Sequence, residues 1–351
     1  MPDPARPDAR LHVVTGKGGT GKTTIAAALA LALADQGQRV LLAEVEERQG
    51  ISQTFDVPPL GTTETLVAGA DHGGEVWGLC VDAKKALLEY LQLFYHLGRA
   101  GGVLERFGAI DFATTIAPGV RDVLLIGRVY EASRRRKDDK HHRDSRPEDL
   151  AYDAIVLDAP PTGRVARFLS VGAEVAGLAR VGPIRAQADS ITQLLHSPRT
   201  RVHVVTLLEE MPVQETVDAV AALREIGMPV GSVVVNQARV GAAGDDPATP
   251  TAASVPPAAI PTTAVAGPTV DPAALAADLA SAGLDASPAL VAALTAQVEA
   301  HAQRLALERE QLDVLSTLGL PIVTVPALPD GIDPDAIGEL AEWLADAGLA
   351  G

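Results

Sequence analysis

Gly16, Gly21, Lys22 and Thr23 stand in the order G-x-x-x-x-G-K-[ST], the spacing of a phosphate-binding loop. The full segment reads Gly16-Lys17-Gly18-Gly19-Thr20-Gly21-Lys22-Thr23-Thr24. The chemistry needs these residue types in this order. Glycines let backbone N–H groups turn inward around phosphate oxygens, and the N-terminus of a following helix adds partial positive charge. Lys22 is placed to reach the β- and γ-phosphates, and the Thr23 hydroxyl to bind Mg2+. The expected ligand is a nucleoside triphosphate, with all nine residues lining it. A second candidate lies downstream in Ala154-Ile155-Val156-Leu157-Asp158, an apolar run closed by an acid. Such an acid either caps a helix or supplies a carboxylate for Mg2+, usually through water. Beside this loop the metal role is favoured, so Thr23 and Asp158 form the expected metal pair. The Pro160-Pro161-Thr162-Gly163 turn that follows can meet a γ-phosphate with its backbone N–H groups.

These groups need a scaffold, and the apolar pattern supplies one. Leu11-His12-Val13-Val14 predicts a strand ending at the loop, and residues 25–34, rich in Ala and Leu, predict the helix after it. Six more strands are expected at 39–43, 76–81, 154–157, 202–207, 230–235 and 321–325, with helical sequence between them, including 213–226, 289–315 and 335–347. Unbroken Val/Leu/Ile runs suit strands buried on both faces of a parallel sheet. The fold class expected is α/β: a doubly wound, mostly parallel sheet of the P-loop NTPase kind, with a helical insertion subdomain. Residues 1–351 read as one domain, with the helical insertion at about 83–149 and a disordered Ala/Pro/Thr-rich insert at about 241–270.

Composition limits the partners. The apolar content is 47% and the aromatic content 3%, so the core must be built from Ala, Val and Leu. A formal net charge of −16 argues against nucleic acid or an anionic membrane as the main partner. No apolar run approaches the ~20 residues of a spanning helix, and Met1-Pro2-Asp3-Pro4-Ala5-Arg6 lacks the plan of a signal peptide. A cytoplasmic location is expected. Cys80 is the single cysteine, which excludes an internal disulfide and a C-x-x-C zinc site. No histidine has ligand spacing with Cys or with a second His on a helix face, and His141-His142 falls in the charged run 134–143, which reads as a solvated loop.

Lys17, directly after the first glycine, narrows the class. The loop Lys17-Gly18-Gly19-Thr20-Gly21-Lys22-Thr23 resembles the deviant P-loop of the ParA, MinD and ArsA ATPases. The resemblance implies that Lys17 crosses a dimer interface to the partner's nucleotide, a cation supplied in trans. It becomes more specific at Asp158-Ala159-Pro160-Pro161-Thr162-Gly163-Arg164, which looks like a variant of the D-T-A-P-T-G-H switch II of ArsA and the tail-anchored-protein-targeting ATPases. Val204 to Thr216 is similar to the segment before that family's specificity helix. Val233-Val234-Val235-Asn236-Gln237 resembles its V-V-N motif, which implies that Asn236 reads adenine. Val325-Pro326-Ala327-Leu328-Pro329 resembles the loop over the base, which implies contacts from Pro326 and Leu328.

Departures matter as much. The family's switch I begins with an Asp that aligns the attacking water, and alignment on Phe55 puts Glu46 there. Switch II has Arg164 where His is usual, and no cysteine triad exists for arsenite. The resemblance implies a Mg2+-dependent ATPase without zinc, working as a homodimer or as a heterodimer with a paralogous ATPase. Dimer closure would move a helical surface toward an unknown client or membrane-associated partner. Two other readings are a ParA/MinD-like positioning ATPase and a weakly catalytic regulatory subunit. The acidic last helix, with Asp335, Glu339, Glu342 and Asp346, is unlike the basic amphipathic tail of a membrane-seeking switch.

Overall fold

The seven apolar runs all become strands of one sheet, and an eighth joins them. The computed structural model describes residues 9–45, 49–82, 85–86, 118–136, 150–170, 183–239, 271–328 and 331–350. The strands are β1 (Leu11–Gly16), β2 (Arg39–Glu44), β3 (Thr65–Gly69), β4 (Glu75–Cys80), β5 (Ala154–Asp158), β6 (Thr200–Thr206), β7 (Val230–Ala238) and β8 (Ile322–Pro326). Their order across the sheet is β3-β4-β2-β5-β1-β6-β7-β8. Every pairing is parallel except β3 with β4. The chain thus winds outward in both directions from β1, which puts the end of β1 where ligands bind in doubly wound sheets.

The unexpected strand is β3. It forms an antiparallel hairpin with β4 at the sheet edge, and Leu66 on it is 49% exposed. Too few of its side chains are buried for periodicity to mark it.

Along the parallel strands alternate side chains enter opposite cores. Leu11, Val13, Leu41, Ala43, Ile155 and Leu157 face α3 (Pro118–Arg134), α4 (Thr162–Leu169), α5 (Pro183–Leu195) and α6 (Glu210–Glu225). Val14, Val40, Leu42, Val156 and Val205 face α1 (Lys22–Asp35), α2 (Gly50–Thr54) and α9 (Pro334–Asp346). α1 is a run of Ala and Leu, the strongest helix formers, and its small side chains let it lie buried between the sheet and α9. Asp333 starts α9 by accepting the Ala336 N–H, with Pro334 pre-set in the first turn. Its stripe Ile337, Leu340, Ala341 and Leu344 is fully covered, at about 1.5–3 kcal/mol for each larger side chain. α7 (Pro272–Ser281) leads into α8 (Pro288–Ser316), a 29-residue helix that buries Leu315 against β7 and leaves Leu307 and Val314 exposed.

Within 83–149, the part described beyond residues 85–86 is α3 with its two following residues, and α3 is a layer of the core, burying Val123, Leu125, Ile126 and Val129. The 241–270 segment lies outside the described residues. Among those described, no helix is long and apolar enough to cross a membrane.

One polar row crosses the apolar interior. His12 on β1, His203 on β6 and Ser232 on β7 point to the α1 face in the same layer. His12 Nδ1 and His203 Nε2 are 3.1 Å apart, and His203 Nδ1 lies 2.8 Å from Ser232 Oγ. Burial is the main reason both rings stay neutral. It takes His12 from its ordinary 6.5 to about 4 and His203 well below 6.5, with Arg201 adding to both effects. The unfolded chain therefore binds protons below about pH 6.5 that the folded chain refuses, so stability falls as pH drops from there toward 4. At pH 5 the loss from His12 is on the order of 2 kcal/mol, and His203 adds to it in the same direction. Urea midpoints taken at pH 7.5 and pH 5 should show it, with a smaller drop in His203→Asn. Midpoints that do not change with pH would mean the rings protonate in place.

Candidate active site

The loop between β1 and α1 is shaped by contacts that only glycine permits. A Cβ on Gly16 would lie 2.1 Å from the Val205 carbonyl oxygen of β6, so the strand can leave the sheet there only without a side chain. Gly21 sits at the start of α1 with φ +86°, and a Cβ on it would meet Asn236 Nδ2 at 2.2 Å. No side chain caps α1, so its first N–H groups are left for an anion. The Lys17 carbonyl holds the loop together. It accepts from Thr20 Oγ1 at 2.9 Å and from the buried Lys22 ammonium at 3.1 Å. Gly18 and Gly19 face open space, and Thr24 is half-buried on the first turn of α1.

β5 runs beside β1 and delivers its acid to the same place. Thr23 Oγ1 donates to Asp158 Oδ2 at 2.6 Å. The next residues stay tied to β1, with Ala159 N–H on the Val14 carbonyl at 2.9 Å and Thr15 Oγ1 on the Pro160 carbonyl at 2.7 Å. Pro161 then opens α4 without a side-chain cap. A hydroxyl and a carboxylate in contact at the foot of a phosphate loop are the hard oxygen donors Mg2+ takes, with phosphate and water completing its shell. The residues present fit that ion. Among the described residues, no group of three or more His, Cys, Asp and Glu is arranged to hold a metal.

The first switch closes over Thr23. A Cβ on Gly50 would lie 2.9 Å from Thr23 Cγ2. Glu46, expected to orient water, lies outside the described residues; Glu44, just before it, holds the described residues just after it. This buried acid at the end of β2 pairs in register with Asp158 and accepts from the Gln49 N–H at 3.0 Å and the Ile51 N–H at 3.2 Å. Glu44 was not among the expected site residues, although an acid ending an apolar strand is the same signal that marked Asp158.

The residues expected at the base lie at the ends of β7 and β8. Asn236 is buried at the end of β7, donating to the Thr20 carbonyl at 2.9 Å and accepting from the Gln237 N–H at 3.0 Å. It therefore braces the phosphate loop, with one N–H and one lone pair left over. Pro326 ends β8 opposite Ala238, the Ala327 N–H bonds the Ala238 carbonyl at 3.1 Å, and Leu328 packs on the α1 face.

Lys17 turns away from its own loop. Its ammonium lies 2.5 Å from Glu215 Oε1 on α6, while Thr162 Oγ1 donates to Glu215 Oε2 at 3.0 Å. No sequence signal links Glu215 to Lys17, because 198 residues separate them.

Residues 9–182 match the model of the anion-transporting ATPase family, ArsA. The chain is 46% identical over 342 residues to the ATPase BagA of Mycobacterium tuberculosis, covering 97% of this chain and 94% of that protein. It is 22% identical over 281 residues to the ATPase ARSA1 of Chlamydomonas reinhardtii, covering 66% of this chain and 35% of the other.

The chain belongs to the ArsA family.

As an ArsA-family ATPase it is expected to bind ATP at this loop. Gly16 to Thr24 form the cradle, Thr23 and Asp158 share one edge of it, and Asn236, Pro326 and Leu328 gather at the ends of β7 and β8. Lys22 serves the cradle from within. Lys17 does not; its ammonium lies on Glu215.

Proposed function

We propose that this ATPase is a Mg2+-dependent, dimeric nucleotide switch in which closure of two protomers couples ATP to a helical partner-binding surface. The observation that carries the reading is the direction of Lys17. Its side chain is 30% exposed and lies against α6 and the start of α4, while Lys22 alone turns across the loop. Once displaced from Glu215, a cation there can reach a second protomer, where it would meet charge developing on the γ-phosphoryl group as an arginine finger does.

Thr23 and Asp158 would hold Mg2+, which when bound neutralises charge on the phosphate oxygens. Lys22 and the loop N–H groups bind and orient the triphosphate, and Glu46 orients the attacking water. The path outward is continuous. α4 starts at the γ-phosphate turn and packs on α6, and α6 in turn contacts α8, whose Leu307 and Val314 are exposed. The partner is a client or a membrane-associated protein that reads the movement of these helices. The acidic net charge of −16 and the acidic α9 favour this over a switch that binds lipid or nucleic acid directly.

The spare N–H and lone pair of Asn236 suit adenine, with Pro326 and Leu328 at the end of the adjacent strand β8 as the apolar side of the base site. In competition binding ATP should displace a labelled nucleotide at clearly lower concentration than GTP, and chelating Mg2+ should stop hydrolysis. Equal affinities for the two nucleotides would remove Asn236 from base recognition. Sedimentation with and without a non-hydrolysable ATP analogue tests the switch itself: self-association should require the analogue, and a sedimentation coefficient that ignores it would sink the dimer reading.

A further inference from the structure

Glu215 joins two groups that a triphosphate must reach separately. Its Oε1 takes the Lys17 ammonium at 2.5 Å, and its Oε2 takes the hydroxyl of Thr162, the first residue of α4, at 3.0 Å. The bond from Lys17, helped by the one from Thr162 and opposed by burial, keeps the carboxyl below its ordinary range and so ionised at neutral pH. The side chains are 30% and 36% exposed, which leaves the pair open to displacement by another anion. The loop does not need this contact for its own shape. Thr20 and Lys22 hold residue 17 through its backbone carbonyl.

We propose that Glu215 is a positioning residue: in the nucleotide-free protomer it holds Lys17 in cis and ties it to the start of switch II, and the γ-phosphate of ATP competes with it for both. Lysine and switch turn are then released by the same event, so Lys17 becomes free to cross to a partner only when its own protomer has bound ATP. This deepens the switch reading above and rests on it for the purpose of the released lysine.

The test is a double-mutant cycle on affinity for a non-hydrolysable ATP analogue, measured at protein concentrations where sedimentation shows monomer. Glu215→Gln keeps an acceptor for Thr162 but loses the charge that holds Lys17. It should tighten the analogue about threefold, the size expected for a partly exposed ion pair, and the gain should shrink as salt is raised. In a Lys17→Ala background the same substitution should give almost no gain. An unchanged or weakened affinity in Glu215→Gln overturns the proposal. An equal gain in both backgrounds also overturns it, because the effect would then be relief of repulsion between carboxylate and phosphate, without Lys17. Normal hydrolysis by Lys17→Ala would end the trans role of the lysine but leave this cycle readable, since the cycle measures one protomer.

Discussion

Lys17→Ala is expected to bind ATP almost normally and to hydrolyse it at least about a thousandfold more slowly, the low end for a cation supplied to a γ-phosphoryl in trans. The structure explains why binding survives. The loop contacts at residue 17 run through its carbonyl, which alanine keeps, and the side chain's own bond goes to Glu215. Lys22→Ala should instead fail at binding, because the buried Lys22 ammonium is the cation that the loop itself holds beside the cradle. Neither variant hydrolyses ATP alone, yet each carries the lysine the other lacks. With equal mixing and random exchange about half the dimers are mixed, and each has one site of two with both lysines, so about a quarter of the normal rate is the ceiling. Because the Lys22→Ala protomer binds no ATP, Glu215 still holds its Lys17, and the mixture should stay well below that ceiling. A steady-state assay of the two variants and their mixture reads all three values. Normal turnover by Lys17→Ala would refute the trans role outright.

The cradle was legible in the sequence because its chemistry is local. Gly16, Gly21, Lys22 and Thr23 lie within eight residues, and strand, loop and helix each announce themselves by pattern. Helix limits were close for a similar reason: Asp333-Pro334 is a cap and a first-turn proline in adjacent positions. What the pattern could not show is contact between distant segments. Gly16 is required by a carbonyl of β6, and Asn236 reaches the loop from 216 residues away. Asn236 was expected to face the base through its motif alone, and the structure shows it bracing Thr20. Glu215 lay in a segment that resembles the family's, but nothing there paired it with Lys17, since a glutamate on an amphipathic helix looks like any solvated residue until its neighbour is known. β3 went unmarked because an edge strand with half its side chains in water has little apolar alternation to display.

The switch I acids separate by what they already hold. Glu44 has both carboxylate oxygens engaged, one by the Gln49 N–H and one by the Ile51 N–H, and it is buried. It anchors the turn and is not free to align a water. Glu46, expected from the family resemblance to align the water, is the acid to test for that task. Glu46→Gln should keep ATP affinity and thermal stability while turnover falls at least about tenfold, the low end for groups that position or activate a nucleophile. Glu44→Gln should behave differently. Its amide nitrogen cannot accept, so one of the two N–H groups loses its partner, at about 1–3 kcal/mol of stability. A lowered denaturation midpoint in Glu44→Gln, with a fall in turnover but not in stability for Glu46→Gln, is the expected pair of results. If instead Glu46→Gln turns over at the normal rate, the water is aligned by another acid of the same turn, and Glu47→Gln is the variant that should then lose activity.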